Sequence, residues 1–395
     1  MHILMLSWEY PPRIVGGISR VVHDLAQKLG EKGNEVHIVT CMEHNTPEEE
    51  KDKHVFVHRV RSYEIGANNF TDWVMHLNFA LLERCIKLIN TNGAFDIIHA
   101  HDWIVAYASI VLKHSFSTPL VATVHATEWG RNWGIHNDEQ KYINGVEWWL
   151  TYEAWKVIVN SEYMNNEVKQ VFKLPSDKIK VIANGVDLKK FDNYTCDYEF
   201  RRNFALDSEK IIFFVGRLVN EKGAHILLDA MPKILEYYSY AKLVIAGKGP
   251  QMEYLREKAL LSGISEKVYF TGYISDDNLS KLYKCVDVAV SPSLYEPFGI
   301  VALEGMVAHV PVVVSDTGGI SDIVEHGVDG LKAYAGNSNS LADSILEILH
   351  CPEKAQVMKD KALDKVSRLY NWDVISARAL KTYEEIIIES RSLKW

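Results

Sequence analysis

Glu296 and Glu304 stand eight positions apart in the string Glu296-Pro297-Phe298-Gly299-Ile300-Val301-Ala302-Leu303-Glu304. An ionised carboxylate only accepts hydrogen bonds, so two of them in one short stretch can grip the hydroxyl groups of a sugar or a ribose. An apolar run, Val286 to Val290, precedes the string, and helix formers fill Gly299 to Ala308. Glu296 therefore falls just before a helix N-terminus, whose free backbone N–H groups suit an oxygen-rich or anionic ligand. Arg217 and Lys222 follow the apolar run Ile211–Val215. Two cations past the C-terminal end of a strand face the ligand crevice of an open sheet, where they can neutralise charge on a departing phosphate group.

Two further clusters carry chemistry of other kinds. His99-Ala100-His101-Asp102 has the residue types of a metal-site fragment. A metallohydrolase needs further ligands at other strand ends, and no convincing set is present. Gly247-Lys248-Gly249-Pro250 begins like a dinucleotide fingerprint, but Met252 occupies the place of the third glycine. An NAD-dependent oxidoreductase and a metallohydrolase stay as competing classes, along with a non-catalytic sugar-binding protein.

Strands and helices must alternate to place these residues. His2–Leu6 reads as a first strand, Ser7 to Gly17 as a loop rich in Pro and Gly, and Ile18 to Leu29 as a helix with apolar residues at helical spacing. Gly16 and Gly17 lie at the first turn of this βαβ unit, where a missing Cβ lets the backbone approach a diphosphate. Further strands are expected at Val36–Thr40, Val55–Val60, Phe95–His99, Leu120–Val124, Val157–Asn160 and Lys180–Ile182, with helices between them. Met42–Lys53 reads as a loop. Asp187–Asn203 loses the rhythm and reads as a linker. A second α/β set runs from Ile211, and the helices Lys354–Leu369 and Trp372–Ile388 close the chain. The fold class is α/β, with parallel sheets.

The 395 residues are enough for two or three domains. Apolar residues at 47% and charged residues at 24% indicate an ordinary globular chain rather than a disordered one. A net charge of -9 gives no support for a nucleic-acid partner. No apolar run approaches the ~20 residues of a membrane span. Five scattered cysteines, Cys41, Cys85, Cys196, Cys285 and Cys351, form no C-x-x-C. Reduced thiols and a cytoplasmic location are the expectation.

The E-P-F-G-I-x-x-x-E string and Gly216-Arg217-x-x-x-x-Lys222-Gly223 together resemble retaining glycosyltransferases of the GT-B fold, family 4, and in particular the glycogen and starch synthases. The resemblance spans nearly the whole chain. It implies two Rossmann-like, doubly wound domains facing a deep cleft, at residues 1–190 and 200–370, with 371–395 as a helix crossing back to the first. It places Glu296 at the donor sugar, Glu304 on the nucleotide ribose, and Phe298, Gly299 and Ile300 around the donor. Arg217 and Lys222 match the family's phosphate-binding pair. Gly272-Tyr273 resembles the loop along the nucleobase, and Thr317-Gly318-Gly319 the glycine turn near the leaving phosphate. His125, in His125-Ala-Thr-Glu-Trp-Gly-Arg131, stands where a family histidine faces the donor sugar. Asp102 belongs to the phrase H-A-H-D-W that borders the donor and acceptor cleft in glycogen synthases.

The chain also departs from that pattern. Ile14 stands where ADP-glucose synthases carry the lysine of K-x-G-G, with Arg13 adjacent, and Phe298 stands where those enzymes often have Cys. The expectation is a metal-independent enzyme without a cofactor, since no Asp-x-Asp occurs. It would move a hexose, glucose first, from UDP- or ADP-glucose to a carbohydrate acceptor, an α-glucan first. Other acceptors of the same family are a small glycoside, a sugar phosphate or a cell-envelope glycan or lipid. The two halves are expected to close over the donor, and a homo-oligomer is left open.

Overall fold

The computed structural model describes residues 1–63 and 65–393. The chain divides into two compact units. One is Met1–Gly185 together with the stretch from Trp372 onward, and the other is Val186–Asn371. Each is a sheet of mainly parallel strands covered by helices.

The first unit holds β1 (His2–Ser7), β2 (Glu35–Cys41), β3 (Glu49–Asp52), β4 (Val55–Val60), β5 (Ile97–His101), β6 (Leu120–Val124), β7 (Lys156–Val159) and β8 (Ile179–Val181), in the spatial order β3-β4-β2-β1-β5-β6-β7-β8. Ile3, Leu4, Met5 and Leu6 are all fully buried, as expected of a central strand covered by helices on both faces. Only β3 runs antiparallel to its neighbour. The segment read as a loop from Met42 to Lys53 thus contains an edge strand. Its sequence, Glu49-Glu-Lys-Asp52, has no strand propensity. It pairs because β4 offers an open edge and a buried Arg59, which bonds Glu50 Oε1 at 2.5 Å.

The helix before β7 spans Asp138–Glu153, and Asn137 caps it by accepting from Gln140 N at 2.8 Å. The helix Trp372–Ser392 packs within this unit, with the Tyr383 hydroxyl 2.7 Å from His99 Nδ1 and Lys180 Nζ 2.9 Å from Glu385. Its buried stripe is Ile375, Ala379, Tyr383, Ile386 and Ile387. Of the apolar residues at helical spacing Val374, Ala377, Leu380, Tyr383 and Ile387, the last two are buried, Val374 and Leu380 are half-buried and Ala377 is exposed.

The second unit holds β9 (Lys210–Val215), β10 (Ala241–Ala246), β11 (Val268–Gly272), β12 (Val288–Ser291), β13 (Val312–Ser315) and β14 (Leu331–Ala333), in the order β11-β10-β9-β12-β13-β14, all parallel. This is the doubly wound order in which the chain reverses direction across the sheet beside its first strand. The segment Asp187–Asn203 is not an independent linker. It belongs to this unit, with Phe191 buried against Tyr283 and a short helix at Tyr198–Arg201.

Candidate active site

In the second unit the order reverses at β9, which pairs with β10 on one side and β12 on the other. Crevices outside the C-terminal ends of such strands hold ligands, and the loops after β9 and β12 meet there. Leu294 N and Tyr295 N donate to the Glu221 carbonyl at 2.8 and 3.3 Å. Gly223 adopts φ +70, and a Cβ there would lie 1.9 Å from the Pro292 carbonyl oxygen. That close approach brings Lys222 Nζ to 2.7 Å from Glu296 Oε2, which also accepts from Ser293 Oγ at 3.3 Å. The Lys222 and Glu296 side chains are 24% and 12% exposed, so the pair is largely shielded from water.

The turn Thr317–Gly319 locks onto the same loop. Gly319 N donates to the Glu296 carbonyl at 2.8 Å, and Thr317 Oγ1 donates to the Leu294 carbonyl at 3.4 Å. Gly318 sits at φ +59 with the Glu296 carbonyl where its Cβ would be, at 2.2 Å. Gly299, at φ +113, leads into the helix Ile300–Val307, whose start has no side-chain cap. Glu304 is buried on that helix. Lys190 Nζ bonds its Oε1, and the Tyr283 hydroxyl donates to Oε2 at 3.5 Å. Phe298 is buried, its ring 6.2 Å from that of Tyr370.

Arg217 is half-exposed and 3.7 Å from Glu221. Gly272 ends β11 at φ +68, and the following Tyr273 holds its ring in solvent, with Lys248 Nζ 5.9 Å from the centroid. The structure thus gathers Arg217, Lys222, Glu296, Phe298, Gly299, Ile300, Glu304 and Thr317–Gly319 around the loops after β9, β12 and β13. Gly272 and Tyr273 follow the neighbouring edge strand. The arrangement offers cations for phosphate oxygens, carboxylates for hydroxyl groups and an exposed ring for stacking.

In the first unit the switch lies at β1, between β2 and β5. Asp102 follows β5 at φ +61, a conformation that costs an ordinary residue energy and marks functional loops. Its Oδ1 accepts from the His125 backbone N–H at 2.8 Å. His125 Nε2 lies 3.1 Å from His101 Nδ1, while His99 Nε2 lies 2.7 Å from Thr123 Oγ1. Burial pushes all three imidazoles down. His99 falls to about 3 and His101 well below the usual value. His125 falls as well, although Asp102 opposes the shift. These rings are neutral at pH 7 and act through hydrogen bonds rather than charge. In the first loop Glu9 Oε2 accepts from Val15 N and Gly16 N, both at 2.8 Å. Burial raises the Glu9 carboxyl above the usual range. Among the described residues, and its chain neighbours apart, nothing lies within 4 Å of where a Gly16 Cβ would stand, and Gly17 caps the start of the helix Ile18–Glu31 at φ -70. So the Gly16 amide is already engaged, and open space is what the turn leaves for a ligand.

Sequence reasoning missed Lys190, Tyr283, Ser293 and Glu9. Lys190 had no signal of its own, being one of four cations (Lys189, Lys190, Arg201 and Arg202) in a stretch read as a linker. Ser293 and Glu9 lie in the motif loops themselves and could have been found there. The metal reading of His99–Asp102 loses its geometry, because both His99 ring nitrogens are taken by Thr123 and Tyr383. Among the described residues, a set whose ligand atoms converge is His2, Glu35 and His37, within 4.8 Å, at the opposite ends of the strands. The glycines of Gly247-Lys-Gly249 face the Gly216 and Leu218 carbonyls, which lie 1.9 and 2.3 Å from where a Cβ would stand, and they follow β10 rather than β9. They pack loop on loop instead of opening a cofactor turn.

A family model described as glycosyl transferases group 1 matches residues 197–365, and one described as glycosyltransferase family 4 matches residues 15–190. An uncharacterized glycosyltransferase of Methanocaldococcus jannaschii is 40% identical over 388 residues, 97% of this chain and 98% of the relative. Glycogen synthase of Mycobacterium tuberculosis is 31% identical over 398 residues, 97% and 94% of the two chains. Sucrose-phosphate synthase from Thermosynechococcus elongatus superposes with a TM-score of 0.85 at 25% identity, covering 98% of this chain and 100% of its own. With both family models matched in order along two parallel-sheet units, the chain belongs to the GT-B glycosyltransferases of family 4 type, similar to the glycogen and starch synthases.

Proposed function

We propose that this glycosyltransferase is retaining and metal-independent, and that it moves glucose from UDP- or ADP-glucose to an α-glucan in a glycogen-synthase-like reaction. The observation that carries the reading is the Lys222–Glu296 pair, 2.7 Å across, held at the point where the sheet order reverses. The 31% identity with a glycogen synthase supports the acceptor class.

In this reading the nucleotide sugar binds the second unit. Arg217 and Lys222 take the diphosphate oxygens and stabilise the charge that grows as the bond between the sugar C1 and the phosphate oxygen breaks. Glu304 accepts from the ribose hydroxyls, and Tyr273 stacks on the base. Glu296 accepts from the sugar hydroxyls and keeps Lys222 aimed at the leaving group. The amides around Gly318 and Gly319 sit beside the same phosphate. The acceptor oxygen forms its bond to C1 on the face that the phosphate leaves, and its proton passes to the departing phosphate oxygen. No enzyme nucleophile enters, and the α configuration is kept. Cationic side chains do the charge work that a divalent ion performs elsewhere, which fits a chain without Asp-x-Asp.

The test is a panel of nucleotide sugars, each with and without glycogen, read by release of nucleoside diphosphate and by label in the polymer. UDP- or ADP-glucose with glycogen should give both signals. Transfer to a sugar phosphate or lipid in place of glucan would replace the acceptor, and no release from any nucleotide sugar would overturn the reading.

A further inference from the structure

The expectation of five separate, reduced thiols meets one exception in space. Cys196 and Cys285 lie 89 positions apart in sequence, yet their Sγ atoms are 2.7 Å apart. We propose that these two cysteines are a redox-reactive pair, which a small-molecule disulfide converts to a cystine that staples the entry segment of the second unit to its sheet.

The pairing is built by the surrounding structure rather than by chance meeting of loops. Cys196 directly precedes Asp197, which caps the short helix Tyr198–Arg201. Arg201 is buried. Its Nε donates to the Cys285 carbonyl at 3.3 Å, its Nη1 donates to the Leu206 carbonyl at 2.8 Å, and its Nη2 lies 3.6 Å from Asp287. The Cys285 thiol also donates to the Asp197 carbonyl at 3.6 Å. Two passages of chain are thus clasped face to face with a thiol on each. A covalent bond at ~2.0 Å asks the sulfur atoms to close by less than an ångström. Cys41 and Cys85 are buried in the other unit, and Cys351 is exposed at the end of a helix.

The order of events follows from access. Cys196 is partly exposed, and Cys285 is buried. Burial, then the neighbouring thiol, pushes Cys285 up to about 12, so it stays protonated and does not attack first. The Cys196 thiolate attacks one sulfur of the small disulfide RSSR. A mixed disulfide forms and one RS⁻ leaves, taking up the proton that Cys196 released. Cys285 then loses its proton and attacks the Cys196 sulfur, expelling the second RS⁻, which is protonated in turn. Two protein thiols and one RSSR become one cystine and two RSH, and the two electrons end on the small disulfide.

The cystine would close a long loop of chain and so restrict the unfolded state. It would lie at the N-terminal end of β12, away from the loop that carries Glu296. The segment it secures also holds Lys190, the partner of Glu304. The effect expected is on the stability of the unit.

The experiment uses the full chain and oxidised glutathione. After oxidation, remaining thiols are alkylated in denaturant, and the protein is digested without reduction for mass spectrometry. The expected result is one cross-linked peptide joining Cys196 to Cys285, and a Tm raised by several degrees and returned by dithiothreitol. Cys196→Ser and Cys285→Ser should each lose both signals, and Cys351→Ser should keep them. Alkylation at both positions, a stable glutathione adduct on Cys196 without a cross-link, or a bond to Cys351 would overturn the pairing. A cross-link without a rise in Tm, or an equal rise in Cys285→Ser, would overturn the staple.

Discussion

Replacing Lys222 by Met keeps the aliphatic stem and removes the charge opposite Glu296. The carboxylate then retains Ser293 Oγ at 3.3 Å as its partner in the same loop. Breaking a fully buried pair costs about 3–5 kcal/mol, and an exposed pair is worth about 0–1 kcal/mol. With side chains 24% and 12% exposed, this pair falls between those limits, at about 2 kcal/mol. For a unit of this size that lowers its Tm by roughly 4–8 °C. Glu296→Gln leaves a lysine that can turn to solvent, so its loss is smaller. The double variant has neither charge stranded. Its loss should fall short of the sum by about 1 kcal/mol, well above the additivity error of about 0.3–0.5 kcal/mol. Activity should behave differently. Each single variant loses on the order of 10² in kcat, and the double variant recovers none of it, because the leaving group still lacks its cation. Urea unfolding of all four proteins and turnover with a nucleotide sugar supply both readouts. Strictly additive stability losses would show that the two side chains are not coupled. Recovery of kcat in the double variant would show that Lys222 serves only to neutralise Glu296.

Gly318→Ala combines φ +59 with a Cβ 2.2 Å from the Glu296 carbonyl oxygen. It should weaken nucleoside diphosphate binding at least tenfold by calorimetry, and wild-type affinity would refute the locked turn. Glu304→Gln should mainly raise the donor KM, while Glu296→Gln should mainly lower kcat; identical changes in both would erase the assigned division of roles. Stability should fall with acid before the carboxylates titrate. His99 and His58 are held by burial at about 3 and about 4, from 6.5. Below pH 6.5 the unfolded chain therefore binds protons that the native rings refuse. Stability from these groups is complete above that pH and falls toward pH 3–4 by about 1.4 kcal/mol per unit per ring. Urea midpoints between pH 7 and 5 should drop, and less steeply in His99→Asn; a flat or rising curve would refute the neutral-histidine account.

Periodicity made most of the two sheets legible, because parallel strands covered on both faces read as short apolar runs such as Leu120–Val124 and Ile211–Val215. What escaped depends on partners far away in sequence. Glu49–Asp52 is a strand only because β4 needs an edge, and Asp187–Asn203 loses its linker character because Phe191 finds a pocket beside Tyr283. The candidate site was legible where one loop carries several of its members, as in Glu296 to Glu304. The glycine pattern was legible as turns, but not its reason: Gly223 and Gly318 are glycines because carbonyls of other loops sit where their Cβ atoms would be. Lys190 and the Cys196–Cys285 approach had no local signal at all, since both are products of how the entry segment folds onto the sheet.

The central claim is α-retaining transfer of glucose by cationic side chains in place of a metal ion. It is tested most directly by running the reaction with UDP- or ADP-glucose and a glucan oligosaccharide in excess EDTA, and reading the anomeric proton of the first product by NMR. The account predicts an α-linked glucose formed at a rate unchanged by the chelator. A β-linked product, or turnover that stops with EDTA and returns with a divalent cation, would contradict it.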